Sequence, residues 1–341
     1  MPITTAPHEF HVEDLFVNLQ PVFGRRLYLK CEGFNFAGSI KLKAAVEMVT
    51  QAERDGVLTK GSILVESSSG NLGVALSVVA ASKGYRFVCI IDPRCNLATR
   101  QLIETVGGEV HMVTEPDPVT GFLGARLAHV RQLCASDDRY VWLNQYTNQA
   151  NWLSHYRRTA PAIAQRFPDL KWLFVGAGTT GTLMGCARYF HDRRAEVRVI
   201  AVDAVGSVTF GTPAAARMIP GLGAGVRPPM LDERYLHDVV HVDERDTVRI
   251  CHRLADRGFL FGGSTGTAVS GALDWLTRND PLDEGSAVVL SPDLGERYVD
   301  TVYHRAWLQD IFGEDILDGI GAERGAPEPV LASASVGAPA W

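Results

Sequence analysis

The chain has 341 residues, of which 46% are hydrophobic and 21% charged, with a net charge of −6. That balance suits a globular protein with apolar residues enough for two cores, and it excludes a basic field for nucleic acid. The six cysteines form no Cys-x-x-Cys pair and the ten histidines no His-Glu-x-x-His, which excludes those redox and metal motifs.

Met1 to Phe16 carries acidic residues and no apolar core, so no signal peptide is expected. No apolar run is long enough to span a membrane, and a cytoplasmic protein with reduced thiols is expected.

Strands and helices then alternate. Leu27 to Cys31 reads as a strand and Lys41 to Ala52 as a helix. Ser62 to Glu66 is a strand running into a Ser/Gly loop, followed by a helix from Leu72 to Ser82. Phe87 to Ile91 is a buried strand, Ala98 to Val106 a helix, and Val110 to Val113 and Tyr140 to Leu143 strands. Trp172 to Val175 leads into a Gly/Thr loop and a helix, and Val197 to Val202 is a strand. Val239 to Val242, Val248 to Leu254, Ser264 to Trp275 and Ala287 to Leu290 continue the pattern. Such alternation predicts parallel sheets covered by helices on both faces. Two α/β units meeting near residue 145 are expected: an N-terminal domain over 1–145, whose first 35 or so residues could pack on the other unit, and a C-terminal domain over 146–320. Ligands of such sheets bind beyond the carboxyl ends of the strands. Residues 321–341 are rich in Ala, Gly, Pro and Ser and read as a disordered tail. His237 and His241 read as structural or surface residues of a strand.

Four loops stand between strand and helix with small donors. Gly176, Gly178 and Gly181 with Thr179, Thr180 and Thr182 can present N–H and hydroxyl groups to an anion at a helix start. The same glycines satisfy Gly-x-Gly-x-x-Gly, and Asp203 ends the next strand, so this segment alone also admits a nicotinamide enzyme. Ser67 to Gly73 suits a small carboxylate; Gly38-Ser39-Ile40-Lys41 and Gly262 to Gly266 repeat the arrangement. Together they ask for a ligand with a phosphate, a carboxylate and an aldehyde. Arg126 lies on an amphipathic segment with Leu123, Leu127 and Val130; it reads either as a solvated helix arginine or as a cation for a bound phosphate.

At these residues, over about 25 to 305, the chain resembles the cysteine synthase family, the fold type II pyridoxal-phosphate enzymes. The resemblance implies that Lys41 of Ser39-Ile40-Lys41 carries pyridoxal 5'-phosphate as a Schiff base and acts at the substrate's α-carbon. It implies that Ser68, Ser69, Gly70, Asn71 and Leu72 bind the substrate carboxylate, with Asn71 also against the cofactor hydroxyl and Gln145 near the carboxylate. Gly178, Thr179, Thr180, Gly181 and Thr182 match the phosphate loop, and Ser264 the group at the pyridine nitrogen. Gly221 to Gly225, with Gly223 at its centre, is similar to a mobile substrate loop, and Pro292 to Tyr298 to a C-terminal signature. Lys43 follows Lys41 by two positions and points nearly opposite on a helix, so only one of them enters the site.

Two stretches depart from ordinary sulfhydrylases: Asn35-Phe36-Ala37-Gly38 and Asn148-Gln149-Ala150-Asn151-Trp152. The chain resembles instead the branch that makes N-(2-amino-2-carboxyethyl)-L-glutamate for 2,3-diaminopropionate, through Glu115-Pro116-Asp117, Asn144-Gln145-Tyr146, Asn151-Trp152 with Ser154-His155-Tyr156, and Asp203 to Val208. That branch implies O-phospho-L-serine as substrate, an amino acid amine as nucleophile, Arg126 and Tyr146 as substrate contacts, and a homodimer; a second carboxylate on the acceptor needs its own donors, which the Gly221 to Gly225 loop with Arg227 can supply on closing. Cysteine synthesis and nicotinamide redox chemistry are the alternatives; the latter leaves Lys41, Ser264 and the Ser/Gly loop unused.

Overall fold

The apolar runs of the sequence become ten strands in two sheets. The computed structural model describes residues 3–318. The expected disordered tail at 321–341 lies outside the described residues.

The strands are β1 (Phe16–Asn18), β2 (Leu27–Cys31), β3 (Ile63–Ser67), β4 (Arg86–Ile91), β5 (Glu109–Met112), β6 (Tyr140–Trp142), β7 (Leu170–Gly176), β8 (Arg198–Ala204), β9 (Asp238–Val242) and β10 (Ser286–Ser291). The helices are α1 (Gln20–Phe23), α2 (Lys41–Arg54), α3 (Asn71–Lys83), α4 (Leu97–Thr105), α5 (Gly121–Ser136), α6 (Gln149–Ser154), α7 (Ala160–Arg166), α8 (Gly181–Arg193), α9 (Glu244–Ala255), α10 (Gly263–Asn279) and α11 (Arg305–Phe312).

One sheet has four strands in the order β5-β4-β3-β6, all parallel. The other has six, β1-β2-β10-β7-β8-β9, and is parallel except for β1 on its edge. Residues 16–31 therefore build on the second sheet and not on the one that follows them in sequence. This is an α/β fold of two parallel-strand sheets.

Both sheets are covered on two faces. Leu64, Phe87 and Cys89 pack with Met48 of α2 and Leu76 of α3, while Ile63, Val88 and Ile90 pack with Val130 of α5 on the other side. In the larger sheet Phe174, Ile200 and Val289 meet Trp275 of α10, and Leu173, Val199 and Val288 meet Phe190 of α8. Strands buried on both faces need continuous apolar sequence, which is why runs such as Phe87 to Ile91 are apolar without alternation.

Strand ends fall within two residues of those expected from sequence. Two helices run further: α9 begins at Glu244, where Asp243 accepts from the N–H of Arg245 as a cap, and α10 continues to Asn279. The helical stretch from α6 to α7 has no counterpart in the sequence reading. It starts at Asn148, whose side chain accepts from Ala150 N–H, and passes through one π-helical turn at His155–Thr159. Among the described residues no helix is long and apolar enough to cross a membrane.

Candidate active site

Lys41 opens α2, directly after Gly38-Ser39-Ile40. Its ammonium finds no hydrogen bond or ion pair among the described residues. The residue is half-buried, and the surrounding protein desolvates the amine and lowers its pKa to about 8. Lys43, two positions on, is turned away. Its Nζ sits 2.5 Å from Glu13 and 2.7 Å from Glu32, so this buried lysine is charge-paired. Of the two, Lys41 is the amine whose neutral, nucleophilic form is within reach near pH 8.

The Gly/Thr loop joins β7 to α8. Thr180 takes φ 66°, the left-handed region, and no side chain caps the helix start, which leaves its N–H groups open to an anion. Thr180 Oγ1 and Asn151 Oδ1 are buried without a partner among the described residues. Asn151 Nδ2 donates to Gln145 O at 2.8 Å and reaches Thr179 Oγ1 at 3.4 Å. A β-carbon at Gly181 would overlap Asn151. Thr182 Oγ1 meets His155 Nε2 at 3.2 Å, and burial, with Lys43 and Lys41 nearby, holds His155 well below the usual histidine range. Buried hydroxyl and amide atoms lacking partners, around open N–H groups, fit a phosphate.

The Ser/Gly loop follows β3. Ser68 Oγ accepts the N–H of Gly73 at 3.0 Å. Ser69 Oγ accepts from Asp92 N–H at 3.1 Å and from Arg126 Nη1 at 2.6 Å. Ser67 Oγ is buried and free, and Gln145 Nε2 donates to Ser67 O at 3.1 Å. The side chain of Leu72 does not face a ligand: it is 2% exposed and packs in the core, so only its backbone can serve the loop.

Arg126 is not a solvated helix arginine. It is 8% exposed, pairs with Asp92 at 3.3 Å, and keeps a buried Nε without an acceptor. Burial alone would raise the Asp92 carboxyl, but Arg94 and Arg126 outweigh it and hold the group below its ordinary range. Tyr146 lies in the same field, its hydroxyl pushed up to about 12 by burial.

Gly221 and Ser264 lie against each other. Gly221 takes φ 116°, and a β-carbon there would overlap Ser264 Oγ. Gly223 N–H donates to Ala177 O at 2.8 Å, which ties this loop to the Gly/Thr loop. Arg227 is already engaged, with Thr209 O at 3.2 Å and Glu233 at 2.7 Å.

Three groups lacked a role in the sequence reading. Asn71 Nδ2 donates to Asp293 Oδ2 at 2.8 Å and Asn71 Oδ1 accepts from Arg297 Nη1 at 2.6 Å. Tyr298 donates to the same Asp293 oxygen at 2.6 Å, and Arg297 also holds Ala37 O beside Lys41. The Pro292 to Tyr298 signature was the only signal for them. Asp203 does not sit as a ribose-binding acid: it is fully buried, accepts Ala204 N–H and is hydrogen-bonded to Ser207.

The family model for pyridoxal-phosphate dependent enzymes matches residues 16–293. The chain belongs to this family. The nicotinamide alternative for the Gly/Thr loop is thereby set aside, and the cofactor is pyridoxal phosphate. Among solved structures, O-ureido-L-serine synthase is 31% identical with a TM-score of 0.82, covering 92% of this chain and 97% of that one. A hydrogen sulfide-producing enzyme from Fusobacterium nucleatum is 28% identical over 87% of this chain and 100% of its own, with a TM-score of 0.79. An O-acetylserine dependent cystathionine beta-synthase from Helicobacter pylori, 23% identical over 89% of this chain and 100% of its own, shares the fold at a TM-score of 0.80. Pyridoxal phosphate supplies a ring that takes up the electrons of a bond broken at a substrate's α-carbon.

Proposed function

We propose that this pyridoxal-phosphate enzyme exchanges the β-substituent of O-phospho-L-serine for the amine of an amino acid, with L-glutamate as acceptor. The product is then N-(2-amino-2-carboxyethyl)-L-glutamate, a precursor of 2,3-diaminopropionate. Lys41 holds the cofactor and moves the proton at the substrate's Cα. Gly178, Thr179, Thr180, Gly181 and Thr182 hold the cofactor phosphate, Ser264 faces the ring nitrogen, and Asn71 stands at the ring hydroxyl. Ser68, Ser69, Gly70, the backbone of Leu72, and Gln145 receive the substrate carboxylate, with Gly223 on the opposite wall.

The observation that carries the choice of leaving group is Arg126. A buried guanidinium against the carboxylate-binding loop, with Nε unanswered and Tyr146 beside it, suits a dianion better than an acetyl ester. The likeness to O-ureido-L-serine synthase favours a second reading, in which the nucleophile is a hydroxyl oxygen of a hydroxyurea-like molecule. The test is product analysis by mass spectrometry with O-phospho-L-serine and each nucleophile in turn: L-glutamate, L-aspartate, hydroxyurea and sulfide. A glutamate adduct formed at the highest rate supports the first reading, and an O-ureido adduct the second.

A further inference from the structure

Glu66 is the penultimate residue of β3 and is fully buried, yet it has no cationic partner among the described residues. N–H groups alone answer its charge. Oε1 accepts the Ser67 N–H at 2.9 Å and the Trp142 indole at 3.0 Å; Oε2 accepts the Gln145 N–H at 3.1 Å, and Asn144 N–H is the fourth donor. Oε1 already accepts two donors, so a proton added there must displace one of them, and a proton on Oε2 competes with the Gln145 N–H.

The donor it releases matters. Asn144 stands at φ 54°, in the left-handed region that asparagine tolerates better than most residues, and its N–H turns toward Glu66. From that turn Gln145 reaches Ser67 O, and its own carbonyl receives Asn151 Nδ2 beneath the phosphate loop. One carboxylate thus joins β3, β6 and the turn bearing Gln145.

Burial pushes Glu66 up to about 7, against the pull of its four donors. The titratable groups around it are Tyr146 on the turn, Cys89 on β4 and Cys134 on α5, each raised first by its own burial and so neutral near pH 7. Two cations lie near: Arg126, which acts on the same Tyr146, and Arg131, over the Trp142 ring at 5.9 Å. Glu66 is the group of this set that changes charge around neutrality.

We propose that Glu66 is a positioning residue. Its ionised carboxylate holds Gln145 and Ser67 in the shape that receives a ligand carboxylate, and uptake of a proton loosens that cradle. The proposal rests on the reading of Ser68 to Leu72 and Gln145 as the carboxylate site.

Propionate is the probe, since it has no amine and no group that titrates between about pH 6 and 8. Its binding to the holoenzyme is followed through cofactor fluorescence. The dissociation constant should rise about tenfold from about pH 8 to about pH 6 as Glu66 protonates. In Glu66→Gln it should be high and flat with pH. Trp142→Phe removes a donor to the ionised form, so its inflection should move to higher pH. A flat wild-type profile, or an inflection that survives in Glu66→Gln, overturns the proposal. If Glu66→Gln does not fold, an inflection unmoved in Trp142→Phe overturns it. Gln145→Ala separates the two readings. Unchanged propionate binding there defeats the carboxylate site itself; weakened binding together with a flat wild-type profile defeats the role of Glu66 alone.

Discussion

Asn71 and Asp293 meet through a 2.8 Å hydrogen bond although they are 222 residues apart. The bond joins the start of α3, beside the four-stranded sheet, to the loop after β10 of the six-stranded sheet. Arg297 answers the other end of the Asn71 amide, and Tyr298 shares the Asp293 oxygen. Breaking this set should loosen the cleft from behind. Arg297→Ala leaves the Asn71 and Ala37 carbonyl oxygens short of a donor and should cost about 1–3 kcal/mol of stability, measured by urea unfolding. A loss near zero would show that solvent replaces the guanidinium.

Lys41 should react as an amine with a depressed pKa. Burial disfavours its charged form, so the neutral nucleophile appears as pH rises through about 8 and not near the ordinary 10.5. The rate at which cofactor-free protein takes up pyridoxal phosphate should climb toward about pH 8 and level above it. A rate still climbing in proportion to hydroxide well beyond that point would contradict the burial of this amine.

Lys43 carries the opposite expectation. Lys43→Met leaves the buried Glu32 with Lys30 alone, at 3.0 Å, and should destabilise the fold by about 1–3 kcal/mol. Borohydride reduction followed by peptide mapping should place the pyridoxyl mass on Lys41. A label on Lys43 would reverse the assignment.

Gly221→Ala combines a strained φ with overlap on Ser264 Oγ. We expect weaker cofactor retention and a loss of about 1–3 kcal/mol from the backbone alone. Cofactor absorbance after dialysis and thermal unfolding check the two parts separately. Unchanged retention would place the cofactor ring away from this wall.

Arg126→Ala should harm the use of O-phospho-L-serine far more than that of O-acetyl-L-serine. Loss of a charge-assisted contact to a dianion is worth about 1.5–3 kcal/mol, roughly ten- to a hundredfold in kcat/KM. Equal losses with both donors would mean that Arg126 serves the Ser69 and Asp92 contacts and not the leaving group.

The sheets were legible in the sequence because their strands are buried on both faces and spell uninterrupted apolar runs, such as Phe87 to Ile91 and Ala287 to Leu290. The loops were legible because Gly and small hydroxyl residues between strand and helix have few other uses. The helical stretch from α6 to α7 was not, since Pro161 and a π-helical turn break its period. Leu123, Leu127 and Val130 marked a helix around Arg126, but periodicity carries no information on which wall an arginine meets. Ser69 and Asp92, which decide that, come from other elements. Asp293 and Glu66 were missed for the same reason: their significance lies in contacts between segments far apart in sequence, and nothing local announces a buried carboxylate.

The most direct measurement mixes the holoenzyme with O-phospho-L-serine and nitrogen-15-labelled L-glutamate and follows products by mass spectrometry. The account predicts release of inorganic phosphate together with a tricarboxylic amino acid that retains the glutamate nitrogen in a new C–N bond. Phosphate release that yields a product only with sulfide, as cysteine, would contradict it.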